Sequence, residues 1–171
     1  MTFAEMAEKR YSVKNFSDKA IEKDKLQRVL ETALKAPTAK NAQSIRVYVL
    51  KSKEAMAKVR SLTPCTYGAP VCLLFSFNKN EAFVYPRQTA QNSGAEDCSI
   101  VATHVMFAAL EEGLGTCWVN LFTPAEAKVA FHLPDDEEVV LLMDIGYAAP
   151  GSKPLGHHFE KKPFGDVVKV L

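Results

Sequence analysis

The sequence lacks any apolar run near the roughly 20 residues that a membrane-spanning helix needs, so no span is expected. It also lacks a dominant charge. Lys and Arg nearly cancel Asp and Glu, leaving a formal net charge of +1. No broad field draws nucleic acid or an anionic membrane, and neither is expected as a partner. The N-terminal stretch Met1-Thr2-Phe3-Ala4-Glu5-Met6 shows no basic flank followed by a long apolar segment. That reads as no signal peptide and predicts a cytoplasmic protein. Internal repeats, low-complexity tracts and Gly/Ser linkers are missing too, so residues 1–171 are read as a single domain.

Cysteine is sparse. Cys65, Cys72, Cys98 and Cys117 form no C-x-x-C pair and do not sit with histidine at zinc-finger spacing, so no metal is expected. Cys72, inside Val71-Cys72-Leu73-Leu74, and Cys98 read as buried reduced thiols. Cys65 follows Pro64 in a loop with no activating base nearby. The chain has no P-loop, nucleophile elbow or paired carboxylates in a catalytic setting. Any demanding chemistry must therefore come from a cofactor.

What is present is a globular alternation of helices and strands. The chain is 47% hydrophobic, too apolar for disorder and enough for one sizeable core. Thr2 with Glu5 forms the pattern of a capping box, opening a helix toward Lys9 or Arg10. A second helix follows Ser17 and Asp18, with Leu26, Val29, Leu30, Ala33 and Leu34 on one stripe, and stops at Pro37. Ser52 caps a short helix through Ala55, Met56, Val59 and Leu62. Ser93 with Glu96 reads as another capping box before Ala95 to Glu112, a segment apolar on nearly every side. Such a helix belongs in the core or in a dimer interface. His104 on it reads as an interior histidine, and His157-His158 as solvated. Thr123-Pro124-Ala125-Glu126 opens one more helix.

Strands are expected over Ile45 to Leu50, Val71 to Phe77, Cys117 to Leu121 and Val139 to Ile145. The mixture predicts a central sheet with helical layers. Ala148 to Pro163 lacks regular periodicity, and the strand-like apolar tail Val167 to Leu171 needs a cover. It folds back on its own domain or reaches a second subunit, and the second is preferred here.

Three clusters carry candidate chemistry. In Arg10-Tyr11-Ser12-Val13-Lys14-Asn15-Phe16, two cations and a hydroxyl alternate, so an extended chain points them to one side, where they can hold a phosphate. By itself the cluster could equally be a solvated basic loop. Ala36-Pro37-Thr38-Ala39-Lys40-Asn41-Ala42-Gln43 offers amides beside a sheet, or a turn in which Thr38 and Asn41 bond the backbone. Gly113-Leu114-Gly115-Thr116-Cys117-Trp118-Val119-Asn120 lets the backbone approach a flat ligand, or caps a helix beside a core Trp.

In this order, the clusters resemble the nitroreductase family of FMN-dependent oxidoreductases over nearly the whole chain. The first cluster is similar to the family's Arg-X-Ser-X-Arg/Lys-X-Phe opening, and the second to its Ala-Pro-Ser/Thr-X-X-Asn-X-Gln loop. Residues 95–119 resemble its central helix and following strand, and Ile145-Gly146-Tyr147-Ala148 with Lys161-Lys162-Pro163 its closing motifs. The resemblance implies an α+β, three-layer fold with a mostly antiparallel sheet, built as an intertwined homodimer. Residues 148–171 would form an arm on the partner. Two FMN molecules would lie at the interface, with NADH or NADPH as electron donor and a small nitroaromatic or quinone-type molecule as acceptor, in a ping-pong cycle. A flavin carrier or sensor, a dehalogenase or an ene-reductase are other uses of the same scaffold.

Carried over to this sequence, the family pattern puts Arg10, Tyr11 and Ser12 around the phosphate and ribityl end and Lys14 at the pyrimidine edge. Asn41 and Gln43 would reach the flavin from the other subunit, and Thr116, Cys117, Trp118, Val119 and Asn120 would line its ring. Lys161 would meet the phosphate where the family usually has Arg, giving a point charge in place of a bidentate fork. Ser44-Ile45 after Gln43 and Ala148 after Tyr147 also depart from the pattern.

Overall fold

The computed structural model describes residues 1–88 and 90–171. Strands β1 (Ile45–Leu50), β2 (Val71–Asn78), β3 (Gly115–Val119) and β4 (Glu137–Gly146) form one sheet in the order β1-β2-β4-β3, and every neighbouring pair is antiparallel. Helices α2 (Lys23–Ala33) and α4 (Gly94–Glu111) cover one face, and α3 (Lys53–Leu62) and α5 (Pro124–Ala130) the other. Helix α1 (Phe3–Lys9) precedes the sheet, and the short α6 (Phe164–Val167) lies near the C-terminus. The expected three-layer α+β arrangement is therefore present. Among the described residues no helix is long and apolar enough to cross a membrane.

Both faces of the sheet are dry, so its central strands do not alternate apolar with polar. In β2, Val71, Leu73, Phe75 and Phe77 face α2 and α4, while Cys72 and Leu74 face α3 and α5. In β4, Leu141, Met143 and Ile145 join the first cluster and Leu142 the second. A two-sided core of this kind produces continuous apolar strands even in an antiparallel sheet.

Local signals explain most helix ends. Thr2 Oγ1 accepts from the Glu5 amide at 3.3 Å while the Glu5 carboxylate accepts from the Thr2 amide at 2.7 Å, completing the capping box. Ser52 caps α3 through the Ala55 amide. Helix α2 follows Ser17 and Asp18 as expected, with Glu22 at its N-cap. Two expectations fail. The Ser93–Glu96 box does not form: Ser93 Oγ instead donates to Asp97 at 2.7 Å, and Glu96 accepts from the Tyr85 hydroxyl. The tail is not a strand, since Val167 ends α6 and residues 168–171 are irregular and exposed.

Helix α4 is also less symmetric in burial than its composition suggests. Asp97, Cys98, Val101, Ala102, Val105, Ala108 and Ala109 are buried, whereas Ile100 and His104 face outward. His104 is thus an exposed residue, with its Nδ1 2.9 Å from the Ile100 carbonyl.

The chain after α1 is stitched to the free edge of β3. Ser12 and Thr116 form a parallel bridge, and the Val13 amide donates to the Thr116 carbonyl at 3.0 Å. Gly115 makes this approach possible. A Cβ there would sit 2.4 Å from Cγ2 of Val13, a buried, β-branched side chain with little room to rotate. Gly115→Ala should therefore push residues 10–16 off the sheet edge and cost about 1–3 kcal/mol. Chemical denaturation checks this; an unchanged midpoint would show that the segment relaxes freely.

Candidate functional site

Alternation along residues 10–14 separates two jobs. Val13 is buried in the core, while Arg10, Ser12 and Lys14 line a cleft of about 250 Å³ together with Tyr11. The far wall is Pro154, Leu155, His157, His158 and Lys161. Backbone pairing brings these distant segments together. Ser17 N–H donates to the Tyr147 carbonyl at 2.8 Å, Ala149 N–H donates to the Asn15 carbonyl at 3.0 Å, and Phe16 bridges Ala148. The Tyr11 hydroxyl then donates to the Ser152 carbonyl at 3.3 Å. Past that anchor the chain makes a 3₁₀ turn at Gly156–Phe159, and Lys161 Nζ donates back to the His158 carbonyl at 2.9 Å.

The cleft has one sign of charge. No carboxylate lines it, and among the described residues Arg10, Lys14 and Lys161 form no ion pair. Like charges held together without counter-ions make a concave anion site. Sequence reasoning placed His157 and His158 in solvent, and both line this cleft. Their signal was weak, because an irregular loop has no periodicity from which facing can be read.

Lys14 sits at the deep end. Its Nζ donates to the Tyr67 hydroxyl at 2.9 Å and to Cys117 Sγ at 3.2 Å, and it lies 4.2 Å from the centre of the Tyr67 ring. Burial opposes its charge, but the hydrogen bonds to Tyr67 and Cys117 outweigh it and raise its pKa above the ordinary lysine value. Lys14 is therefore cationic throughout the physiological range. Burial pushes the Cys117 thiol up, against the opposing pull of Lys14, so the sulfur stays protonated.

Asp144 lies behind this group. In the register of the sheet it faces Cys117 on one neighbour and Cys72 on the other. It is buried, and its Oδ2 has no hydrogen-bond partner among the described residues. Burial pushes its carboxyl up to about 8, with Lys14 and Cys72 pulling weakly the other way.

Strand β3 only partly fulfils the expectation of a ring-lining surface. Cys117 and Val119 are turned into the core, as is most of Thr116, while Trp118 is half-buried and Asn120 exposed. Trp118 Nε1 donates to Asn120 Oδ1 at 3.0 Å. Gly115 serves chain-to-chain contact with Val13, and it also lines a neighbouring cleft with Gly113, Leu114 and Thr116.

Asn41 and Gln43 do not line the cleft. Their loop is held elsewhere, by the buried Asp97 on α4, which accepts from the Ala39 amide at 2.9 Å, and by Thr38 Oγ1, which accepts from the Gln43 amide at 3.1 Å. Lys40, Asn41 and Gln43 have φ of 54°, 55° and 52°. Three non-glycine residues in the left-handed region within four positions are costly, and such strain concentrates at ligand sites. Both amide side chains are exposed.

The sequence model of the Nitroreductase family matches this chain in two overlapping segments, residues 7–65 and 60–147. The chain belongs to the nitroreductase family. A family member from Clostridium difficile 630 of known crystal structure is 34% identical, with 99% of this chain and 98% of that one covered at a TM-score of 0.91. A protein of Exiguobacterium sibiricum 255-15, provisionally named a nitroreductase and crystallised in complex with FMN, shares the nitroreductase fold. It is 18% identical, with 100% and 98% of the two chains covered and a TM-score of 0.86. A Methanothermobacter thermautotrophicus protein, provisionally named an NADH dehydrogenase/NAD(P)H nitroreductase, is 23% identical over 91% of this chain and 83% of its own length.

Asp144 yields a pH test. In the unfolded chain a free Asp ionises near pH 4, whereas the folded carboxyl holds its proton up to about 8. The unfolded state thus loses that proton first, and its share of stability, present at low pH, falls as pH rises between those values. Asp144→Asn should flatten the decline of melting temperature from pH 5 to 8. Parallel curves for variant and wild type would place the ionisation elsewhere.

Proposed function

We propose that the protein is an FMN-dependent oxidoreductase, and that the cation-lined cleft holds the phosphate end of the cofactor. The observation that carries this reading is the convergence of Arg10, Ser12, Lys14 and Lys161, from the two ends of the chain, on one concavity without a carboxylate. The donor set fits the group. Arg10 can fork two N–H groups onto a phosphate, Ser12 adds a hydroxyl, and Lys161 adds a mobile point charge. Family membership and the FMN-bound relative support the same choice.

When bound, FMN would supply the two-electron chemistry, taking hydride from NADH or NADPH and delivering electrons to a nitroaromatic or quinone-type acceptor in a ping-pong cycle. The chain's own residues bind and bias. Lys14 would present a positive charge to the pyrimidine edge, where negative charge grows on reduction, and would so raise the reduction potential. Tyr67 and Cys117 fix the ammonium in place before any ligand arrives. Such preorganisation avoids a reorientation cost during the reaction.

The reading includes a homodimer. Asn41 and Gln43 are exposed, conformationally fixed and away from their own cleft, as residues serving a second copy's flavin would be. The arm carries Phe159, Phe164, Val167, Val170 and Leu171 with their apolar surfaces open, and a partner chain would cover them.

The purified protein should be yellow, should sediment as a dimer with one FMN per chain, and should bleach when NADH or NADPH is added without oxygen. A colourless protein that refuses FMN overturns the proposal; one that keeps FMN but resists both nicotinamides is a flavin carrier. Lys14→Met should lower the flavin reduction potential and reduce kcat/KM for NADH or NADPH by about a hundredfold, the usual scale for losing one preorganised stabilising group. Potentiometry and steady-state kinetics check both effects.

A further inference from the structure

The cleft is lined by two imidazoles besides Arg10, Ser12, Lys14 and Lys161. His157 and His158 stand on the same wall as Lys161, inside the arm and opposite Arg10, Tyr11 and Lys14. The His158 ring meets Phe159 edge-on at 5.1 Å between ring centres, which limits how far it can swing. Burial first, and then the charges of Lys161, Arg10 and His157, hold the His158 imidazole below the usual histidine range.

Resting on the cofactor reading above, we propose that His157 and His158 are further phosphate-binding residues, and that they make FMN affinity rise as pH falls. The titratable and charged groups facing them are Arg10, Tyr11 and Lys14 from the segment after α1, and Lys161 from the arm itself. Without an anion these cations repel a proton from the His158 imidazole. A phosphate dianion reverses that local field. It cancels the repulsion and offers oxygens that accept hydrogen bonds from an imidazolium. Binding therefore draws protons onto the histidines. By linkage, protons strengthen binding to the same degree that phosphate strengthens protonation.

The histidines also answer a sequence feature. Lys161 occupies a position where the nitroreductase pattern usually has Arg, and a lysine cannot grip phosphate with a planar fork. Two imidazolium N–H donors three and four residues upstream restore directed hydrogen bonding, but only while protonated.

The test measures FMN and riboflavin affinity on the full chain by flavin fluorescence between pH 6.5 and 8.5. Free FMN phosphate has its second pKa near 6, so it is mostly dianionic across this range. Its residual protonation would act in the opposite sense. FMN should bind the wild type about fivefold more weakly at pH 8.5 than at pH 6.5, the size expected of one linked proton. His157→Gln/His158→Gln should bind FMN with a flat profile. Riboflavin, which lacks the phosphate, should show the same affinity for both proteins at either pH. Calorimetry in buffers of different ionisation enthalpy should register proton uptake at pH 7 with FMN and not with riboflavin. A flat wild-type FMN profile, or an equal slope in the double variant, overturns the role of the histidines while leaving the cofactor reading intact. Failure of the wild type to bind either flavin overturns both.

Discussion

The arrangement depends on one backbone pairing, that of residues 12–13 with Thr116 on the edge of β3. Two ladder contacts and the missing side chain at Gly115 hold the strand-like segment close enough for Val13 to enter the core. Once Val13 is buried, the period of an extended chain dictates that Arg10, Ser12 and Lys14 share the other side. The cation cleft is thus a by-product of a packing choice. The same pairing fixes the start of the C-terminal arm, because Asn15 and Ser17 in turn bond Ala149 and Tyr147.

The electrostatic consequence is a group of like charges without counter-ions among the described residues, of which Lys14 is tied to polar side chains. Lys14 gains a hydroxyl and a thiol in place of water, and its charge is secured by them. Asp144 shows the opposite outcome two strands' width away on the same face. Its Oδ2 has no hydrogen-bond partner among the described residues and the charge of Lys14 opposes burial only in part, so burial leaves it a neutral acid at moderate pH. A neutral Asp144 matters for Lys14, since an ionised carboxylate at that depth would offset the positive potential delivered to the cleft.

Much of this was legible in the sequence, for identifiable reasons. The four strands were readable because β-branched and apolar runs bounded by Gly, Pro or Asn leave few alternatives; their interleaving with helices pointed to a central sheet with helical layers, and the family resemblance implied the three-layer arrangement. The alternation in residues 10–14 was readable because it needs only the two-residue period. What failed were inferences needing tertiary partners. Ser93 had the composition of a cap, but the buried Asp97 carboxylate competes for its hydroxyl and uses its own other oxygen to hold the Ala39 amide. His104 looked interior because its helix is apolar on nearly every side, yet only one face of α4 meets the sheet. His157 and His158 were invisible as site residues because a turn in an irregular arm decides where they face.

The two loops that sequence patterns assign to one ligand are kept apart within a single chain, and the strain in one of them argues for a purpose. Lys40, Asn41 and Gln43 are held left-handed by hydrogen bonds that the Ala39 and Gln43 amides donate to Asp97 and Thr38, at a cost of order 1 kcal/mol or more each. Within the loop the Gln43 side-chain amide donates to the Asn41 carbonyl at 3.3 Å, and both Asn41 and Gln43 remain exposed. Under the proposed dimer the strain would act as preorganisation: the fold would hold two amides rigid so that a ligand reaching across from another copy need not order them on arrival. The cleft and the amide loop would then be halves of one site, joined by the exposed apolar arm.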